Sequence, residues 1–208
     1  KHADQIVKVY ADGYAMGTQM SLLPAGARIG NNIVPDEHVG FVSVCSITLN
    51  GVLLKYGIPV SSKFGGLLEI ANGKAQRFTE IIHYDGTTVD PLEVFIRSGM
   101  TDYLGAIKNG NGKVGAGFRE LPANSRDITR SLAAKLKKIG LGAFLEFGRP
   151  GCELLGVPVS EGRIGAIVIG GLNPIAVIEE SGTRLNSIAM SGLLDYSQLF
   201  HFSELKER

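Results

Sequence analysis

Short apolar runs dominate this chain, and they come in pairs separated by turn residues. Val42 to Leu49 and Val52 to Lys55 flank Asn50-Gly51, which supplies the positive φ angles of a tight turn, so the pattern predicts a hairpin. Gly66 to Ile70 and Arg77 to His83 flank Ala71-Asn72-Gly73-Lys74 in the same way. Further on, Ala143 to Phe147 and Cys152 to Leu155 flank Gly148-Arg149-Pro150-Gly151, and Ala166 to Ile169 and Ile175 to Glu180 flank Gly170-Gly171-Leu172-Asn173. The least charged stretch, Ile164 to Ile178, is shorter than the ~20 residues of a membrane-spanning helix and is broken by glycines and Pro174. It reads as two buried strands joined by a turn.

Helical periodicity is rarer. Asp90-Pro91-Leu92-Glu93 combines an N-cap with proline at the first helical position and predicts a short helix that Gly99 ends. A longer helix starts at Asn124 or Ser125 and runs to Ile139, where Gly140 stops it. Its apolar face is Ile128, Leu132, Leu136 and Ile139, with Arg130, Lys135, Lys137 and Lys138 around it. The predicted fold class is therefore α+β, antiparallel hairpins with a few helices.

The chain also repeats itself. Leu23-Pro24-Ala25-Gly26-Ala27-Arg28 returns as Leu121-Pro122-Ala123-Asn124-Ser125-Arg126, and Gly57-Ile58-Pro59-Val60-Ser61 as Gly156-Val157-Pro158-Val159-Ser160. Lys63-Phe64-Gly65 matches Arg163-Ile164-Gly165, Gly86-Thr87 matches Gly182-Thr183, and Ser98 to Tyr103 matches Ser191 to Tyr196. The offsets are 98, 99, 100, 96 and 93, always in the same order. Two homologous halves, about 1–100 and 101–208, are expected to pair about a pseudo-twofold as a single-chain version of a symmetric dimer. The groove between them is then the expected ligand site.

Composition narrows the function classes. The chain is 44% hydrophobic and 20% charged, with 21 basic and 20 acidic residues, which excludes a disordered tail or a polybasic nucleic-acid arm. Twenty-eight glycines fit many tight turns. Two cysteines, Cys45 and Cys152, are too few for a disulfide framework and have no adjacent histidine or lysine to activate them. The N-terminus has no apolar export segment.

Few residues carry recognisable chemistry. Gly110 to Gly115 matches G-x-G-x-x-G, but its continuation reads as a strand running into Pro122, so a hairpin turn is expected rather than a nucleotide loop. Of the four histidines, His83 stands out, at a strand end beside Tyr84, Asp85, Thr87 and Thr88; a structural role is the alternative. The repeat places Arg28 with Arg126 and Lys63 with Arg163, at glycine-rich or helix-start positions. An arginine guanidinium can grip a carboxylate bidentately and helix-start amides add anion affinity, which fits a small dianion; alternatively these residues close salt bridges between the halves.

Five stretches resemble the NrpR family of archaeal nitrogen regulators: Val44 to Leu54, Phe64 to Glu69, Arg77 to Thr88, Phe118 to Ala123, and Gly170 to Ala176. The resemblance implies the effector domain of a cytoplasmic, homo-oligomeric transcriptional repressor of nitrogen-assimilation genes, not an enzyme. Binding of 2-oxoglutarate would lower operator affinity, with no other cofactor. DNA would be contacted only through a winged helix outside these residues, since residues 1–20 are too short for one. Two carboxylates and a keto oxygen suit Arg28, Arg126, Lys63 and Arg163 for the charges, and Thr48, His83 and Thr87 for the remaining oxygens. The rival readings are a structural dimerisation module and an enzyme on a small dicarboxylate using Glu80 and His83.

Overall fold

The chain opens with a helix, α1 (Ala3–Ala11), that buries Ile6, Val9 and Tyr10, and continues into strand β1 (Gln19–Leu23). A two-stranded ribbon, β2 (Arg28–Ile29) and β3 (Asn32–Ile33), precedes β4 (Gly40–Ser43), which pairs with β1. Helix α2 (Ile47–Lys55) leads to the long hairpin of β5 (Ser61–Ala71) and β6 (Lys74–His83), then to α3 (Pro91–Arg97) and α4 (Tyr103–Asn109). The central strand β7 (Gly112–Pro122) is followed by α5 (Arg126–Lys138), β8 (Glu146–Pro150), β9 (Arg163–Ile169), α6 (Asn173–Glu180) and β10 (Phe200–His201). This computed structural model describes residues 2–208. Among them no helix is long and apolar enough to cross a membrane.

An antiparallel five-stranded sheet, in the order β6-β5-β7-β9-β8, organises the fold, and a smaller sheet has the order β10-β1-β4. The class is α+β, with six α-helices among the described residues. Alternation along β7 sends Val114, Ala116 and Phe118 to one face, where they pack with α1, α4 and α6 in the larger core cluster. Leu121 faces the other way, with Leu49 and Leu53 of α2 and Leu132 and Leu136 of α5. Each such fully buried side chain contributes about 1.5–3 kcal/mol. Residues of both chain halves build the main sheet, β5 and β6 coming from the first and β7 to β9 from the second. The halves therefore meet edge to edge in two ladders, β5 with β7 in the main sheet and β1 with β10 in the smaller one.

Some predicted elements form as read. The Asn72-Gly73 turn has positive φ at both residues, 52° and 72°, and closes the β5–β6 hairpin. Asp90 caps α3, accepting from the amides of Leu92 at 2.8 Å and Glu93 at 3.3 Å, and Gly99 follows its end with φ 65°. Helix α5 begins after Ser125 and Gly140 follows it.

Other expectations are corrected. Val42 to Lys55 is not a hairpin: Asn50-Gly51 lies inside α2, where Leu49 and Leu53, four residues apart, both reach the core, whereas a two-residue turn at Asn50-Gly51 would send them to opposite faces. Ile175 to Glu180 is likewise helical, with Pro174 in its first turn, so Ile164 to Ile178 is one strand and one helix. The turn predicted at Gly148-Arg149-Pro150-Gly151 is largely strand, since β8 pairs with β9 through Glu146, Phe147 and Pro150 and not with Cys152 to Leu155. Gly110 to Gly115 is no hairpin turn: Gly110, left-handed with φ 77°, closes α4 and β7 starts at Gly112. On α5 the buried face is Thr129, Leu132, Ala133 and Leu136, leaving Ile128 and Ile139 about half exposed at 47% each.

Candidate functional site

Strand β7 carries two adjacent charges inside an apolar sheet, and alternation sends them to opposite faces. Glu120 is buried and accepts hydrogen bonds from the Ser160 amide at 2.9 Å and its hydroxyl at 3.0 Å, with the Lys63 ammonium 3.8 Å away. Arg119 goes to the α2 side and is only 2% exposed. Its Nε donates to Asn50 Oδ1 at 2.9 Å and its Nη2 to Ser46 Oγ at 2.9 Å, both on the opening turn of α2. Its Nη1 is buried with no hydrogen-bond partner. The Tyr84 hydroxyl favours the charged guanidinium both electrostatically and through a side-chain hydrogen-bonding contact, while Nη1 itself has no partner at full hydrogen-bond geometry. Burial pulls the arginine pKa down from its ordinary value and pushes the Tyr84 pKa up.

Glycines make room for this arrangement. Gly65 and Gly117 are register partners on β5 and β7. A Cβ on Gly117 would lie 2.9 Å from Arg119 Nη1, and one on Gly65 would lie 3.2 Å from the Tyr84 hydroxyl. The end of β4, just ahead of α2, is held against the β9–α6 loop, where Ser43 Oγ donates to the Gly171 carbonyl at 2.5 Å. No side chain caps α2, and its first turn holds no acidic residue. A guanidinium thus stands at the positive end of a helix dipole, the reverse of the usual placement.

The residues singled out from sequence fall around this centre unevenly. Lys63, His83, Arg126 and Arg163 lie at one end of the main sheet, as the pairs Phe64↔His83, Ser61↔Glu120 and Pro122↔Arg163 place them. Lys63 joins the two halves through its ion pair with Glu120. Arg126 is at the first position of α5, 3.6 Å from Asp127, with its Nε buried and unpartnered. No ion-pair partner lies within reach of Arg163 among the described residues. His83 is exposed, its ring edge-on to Phe64 at 5.7 Å. Thr48 is half-buried in the first turn of α2, and the Thr87 hydroxyl accepts from the Val89 amide at 3.3 Å. Arg28 lies outside this group, exposed on the β2–β3 ribbon, whose Gly30 and Asn32 pack on Ser191 and Gly192. Glu80 and His83, three apart on β6, point to opposite faces and form no acid–base pair.

Arg119, Ser46, Asn50 and Tyr84 were not singled out. The available signal was an Arg-Glu pair within an otherwise apolar, glycine-rich run. The five stretches that carry the family resemblance also meet here, supplying Ser46 and Asn50, Gly65, Tyr84, Arg119 and Gly171 in turn.

A family model described as NrpR regulatory domains NRD1 and 2 matches residues 1–201. The chain belongs to the NrpR regulatory domain family. It is 37% identical over 166 residues to the global nitrogen regulator NrpRI of Methanosarcina mazei, covering 80% of this chain and 51% of that protein. It is 33% identical to the global nitrogen regulator NrpR of Methanococcus maripaludis, over 94% of this chain and 34% of that protein. The chain thus spans about half or a third of the length of these NrpR relatives. A crystal structure of a nitrogen repressor-like protein from Methanococcus jannaschii superposes with a TM-score of 0.77 at 27% identity, covering 96% of this chain and 80% of that one.

Proposed function

We propose that this domain is the effector-sensing part of a cytoplasmic, homo-oligomeric repressor of nitrogen-assimilation genes, that its effector is 2-oxoglutarate, and that binding lowers operator affinity. The observation that carries the reading is the match to NrpR regulatory domains along nearly the whole chain. DNA contacts then belong to a winged helix outside these residues, and the domain itself performs no catalysis. The choice of a dicarboxylate is supported by the cations gathered near one end of the main sheet, Lys63, Arg126 and Arg163, and by the unpaired guanidinium of Arg119. Thr48, His83 and Thr87 supply candidate donors to the remaining oxygens. Arg28 enters only if the β2–β3 ribbon folds over the ligand.

The regulation is linkage. An effector shifts a repressor only by binding its low-affinity conformation better than its DNA-bound one, and each tenfold of coupling corresponds to about 1.4 kcal/mol. Calorimetry of the domain with 2-oxoglutarate tests the first step: saturable binding is expected, with glutamate and citrate much weaker. Operator binding by the full-length protein tests the second and should weaken as 2-oxoglutarate is added. Absence of heat and of any thermal shift would leave a structural module in place of a sensor.

A further inference from the structure

Arg119 is hard to explain as a structural residue alone. Cations this deeply buried normally face a carboxylate, because an unpaired buried charge is strongly destabilising. No acidic side chain lies within ion-pair distance of Arg119 among the described residues, and its hydrogen-bond partners, Ser46 and Asn50, are neutral. The uncapped start of α2 adds positive potential at the same place. Two observations therefore converge: an orphan Nη1 nine-tenths or more buried, and a nine-residue helix whose first turn points at it with neither cap nor acid.

We propose that the Arg119 guanidinium and the opening turn of α2 together seat one carboxylate of a small-molecule effector. The inference rests on the sensing role proposed above and names the contact that the sensing uses. Nη1 donates to one carboxylate oxygen, with the Ser46 hydroxyl and the Tyr84 hydroxyl available to the other. The chemistry suits a small planar anion, and seating one requires the Arg119 and Tyr84 side chains to swing apart, since even a Cβ would lie 2.9 Å from Nη1 at Gly117 and 3.2 Å from the Tyr84 hydroxyl at Gly65. Access is short: Cys45, Ser46, Asn50, Ser62 and Tyr84 are each half-buried, so the guanidinium lies one side chain beneath the surface. An anion arriving there pulls on α2, which also packs against α5, so occupancy is felt on the far side of that helix pair.

The test follows the arginine side-chain Nε–Hε signals of the 15N-labelled domain by NMR, with calorimetry in parallel. Probes are 2-oxoglutarate, glutarate, acetate, inorganic phosphate and sodium chloride at matched ionic strength. A saturable shift of the Arg119 signal with the carboxylates, and none with chloride, is expected. Arg119→Lys should weaken 2-oxoglutarate about ten- to a hundredfold. If that variant does not fold, Ser46→Ala, which removes one neighbour of the guanidinium without touching the sheet, should weaken it about tenfold. Heat from 2-oxoglutarate with an unmoved Arg119 signal overturns the seat and leaves the sensing role standing. A shift with glutarate or acetate but no heat from 2-oxoglutarate supports the seat and removes the proposed effector. A shift with phosphate alone, or with no probe, overturns the seat.

Discussion

Asn173 has no exposed surface, and its side-chain amide donates to the carbonyls of Tyr14 at 2.9 Å and Gly115 at 2.8 Å. It ties the segment after α1, the central strand and α6 together at one point. Asn173→Ala strands the Tyr14 carbonyl, while the Gly115 carbonyl keeps the Gly170 amide at 3.1 Å, so urea denaturation should show a loss of about 1–3 kcal/mol at unchanged m-value. Tyr10 and Tyr103 make a second residue-level prediction. Burial raises both phenols above their ordinary value of 10.0. A folded-state value above the unfolded one contributes stability that is fully present below about pH 10 and is lost as pH rises toward the folded value. The loss approaches about 1.4 kcal/mol per pH unit for each tyrosine, so alkaline titration followed at 295 nm should show these two ionising together with unfolding. At the functional centre, legibility was partial for a physical reason. The sequence repeat and the resemblance pointed at cations near one sheet end, whereas the unpaired one, Arg119, is identified by burial and a missing partner, and neither quantity exists before the chain folds.

Helix α4 depends on an element distant in sequence. The Glu180 carboxylate, at the end of α6, accepts from Thr101 Oγ1 at 2.7 Å and from the amides of Tyr103 at 2.8 Å and Leu104 at 2.9 Å. One side chain thus satisfies the first donors of α4 and holds α6 against it. Glu180→Ala should cost about 1–3 kcal/mol, and hydrogen exchange at Tyr103 and Leu104 should accelerate more than at β7 amides. Which elements could be read beforehand follows the same local-versus-distant division. The β5–β6 hairpin and α3 have their determinants inside their own few residues, in Asn72-Gly73 and in Asp90-Pro91. Helices α2 and α6 do not: short apolar runs fit strand and helix equally, and only Leu49 and Leu53 packing beside α5, or Ala176 and Val177 inside the core, decides between them. Asn50 shows the override most directly, its turn-forming amide being spent on Arg119 and Ser62.

At the scale of the whole chain, the repeat predicts two similar halves, while the sheet joins strands from both. Strand β7 pairs with β5 of the first half along one edge and with β9 of its own half along the other. The larger core cluster draws Ile6, Val9, Phe64 and Leu68 from residues 1–100, and Phe118, Ile167 and Val177 from 101–208. Cutting between Gly99 and Met100 leaves each fragment with an open strand edge and an uncovered apolar face, which favours aggregation over folding. Neither fragment alone should show a cooperative thermal transition by circular dichroism. Mixed at equal concentration, the two should regain one, because the β5–β7 ladder and the shared core re-form together. The same continuity bears on regulation. A hinge between the halves would have to break that ladder and the β1–β10 pairing, so the proposed effector signal would travel more cheaply through α2 and α5, which pack on the sheet without belonging to it. A fragment that unfolds cooperatively by itself would reverse this, returning the chain to two independent bodies that can close on a ligand.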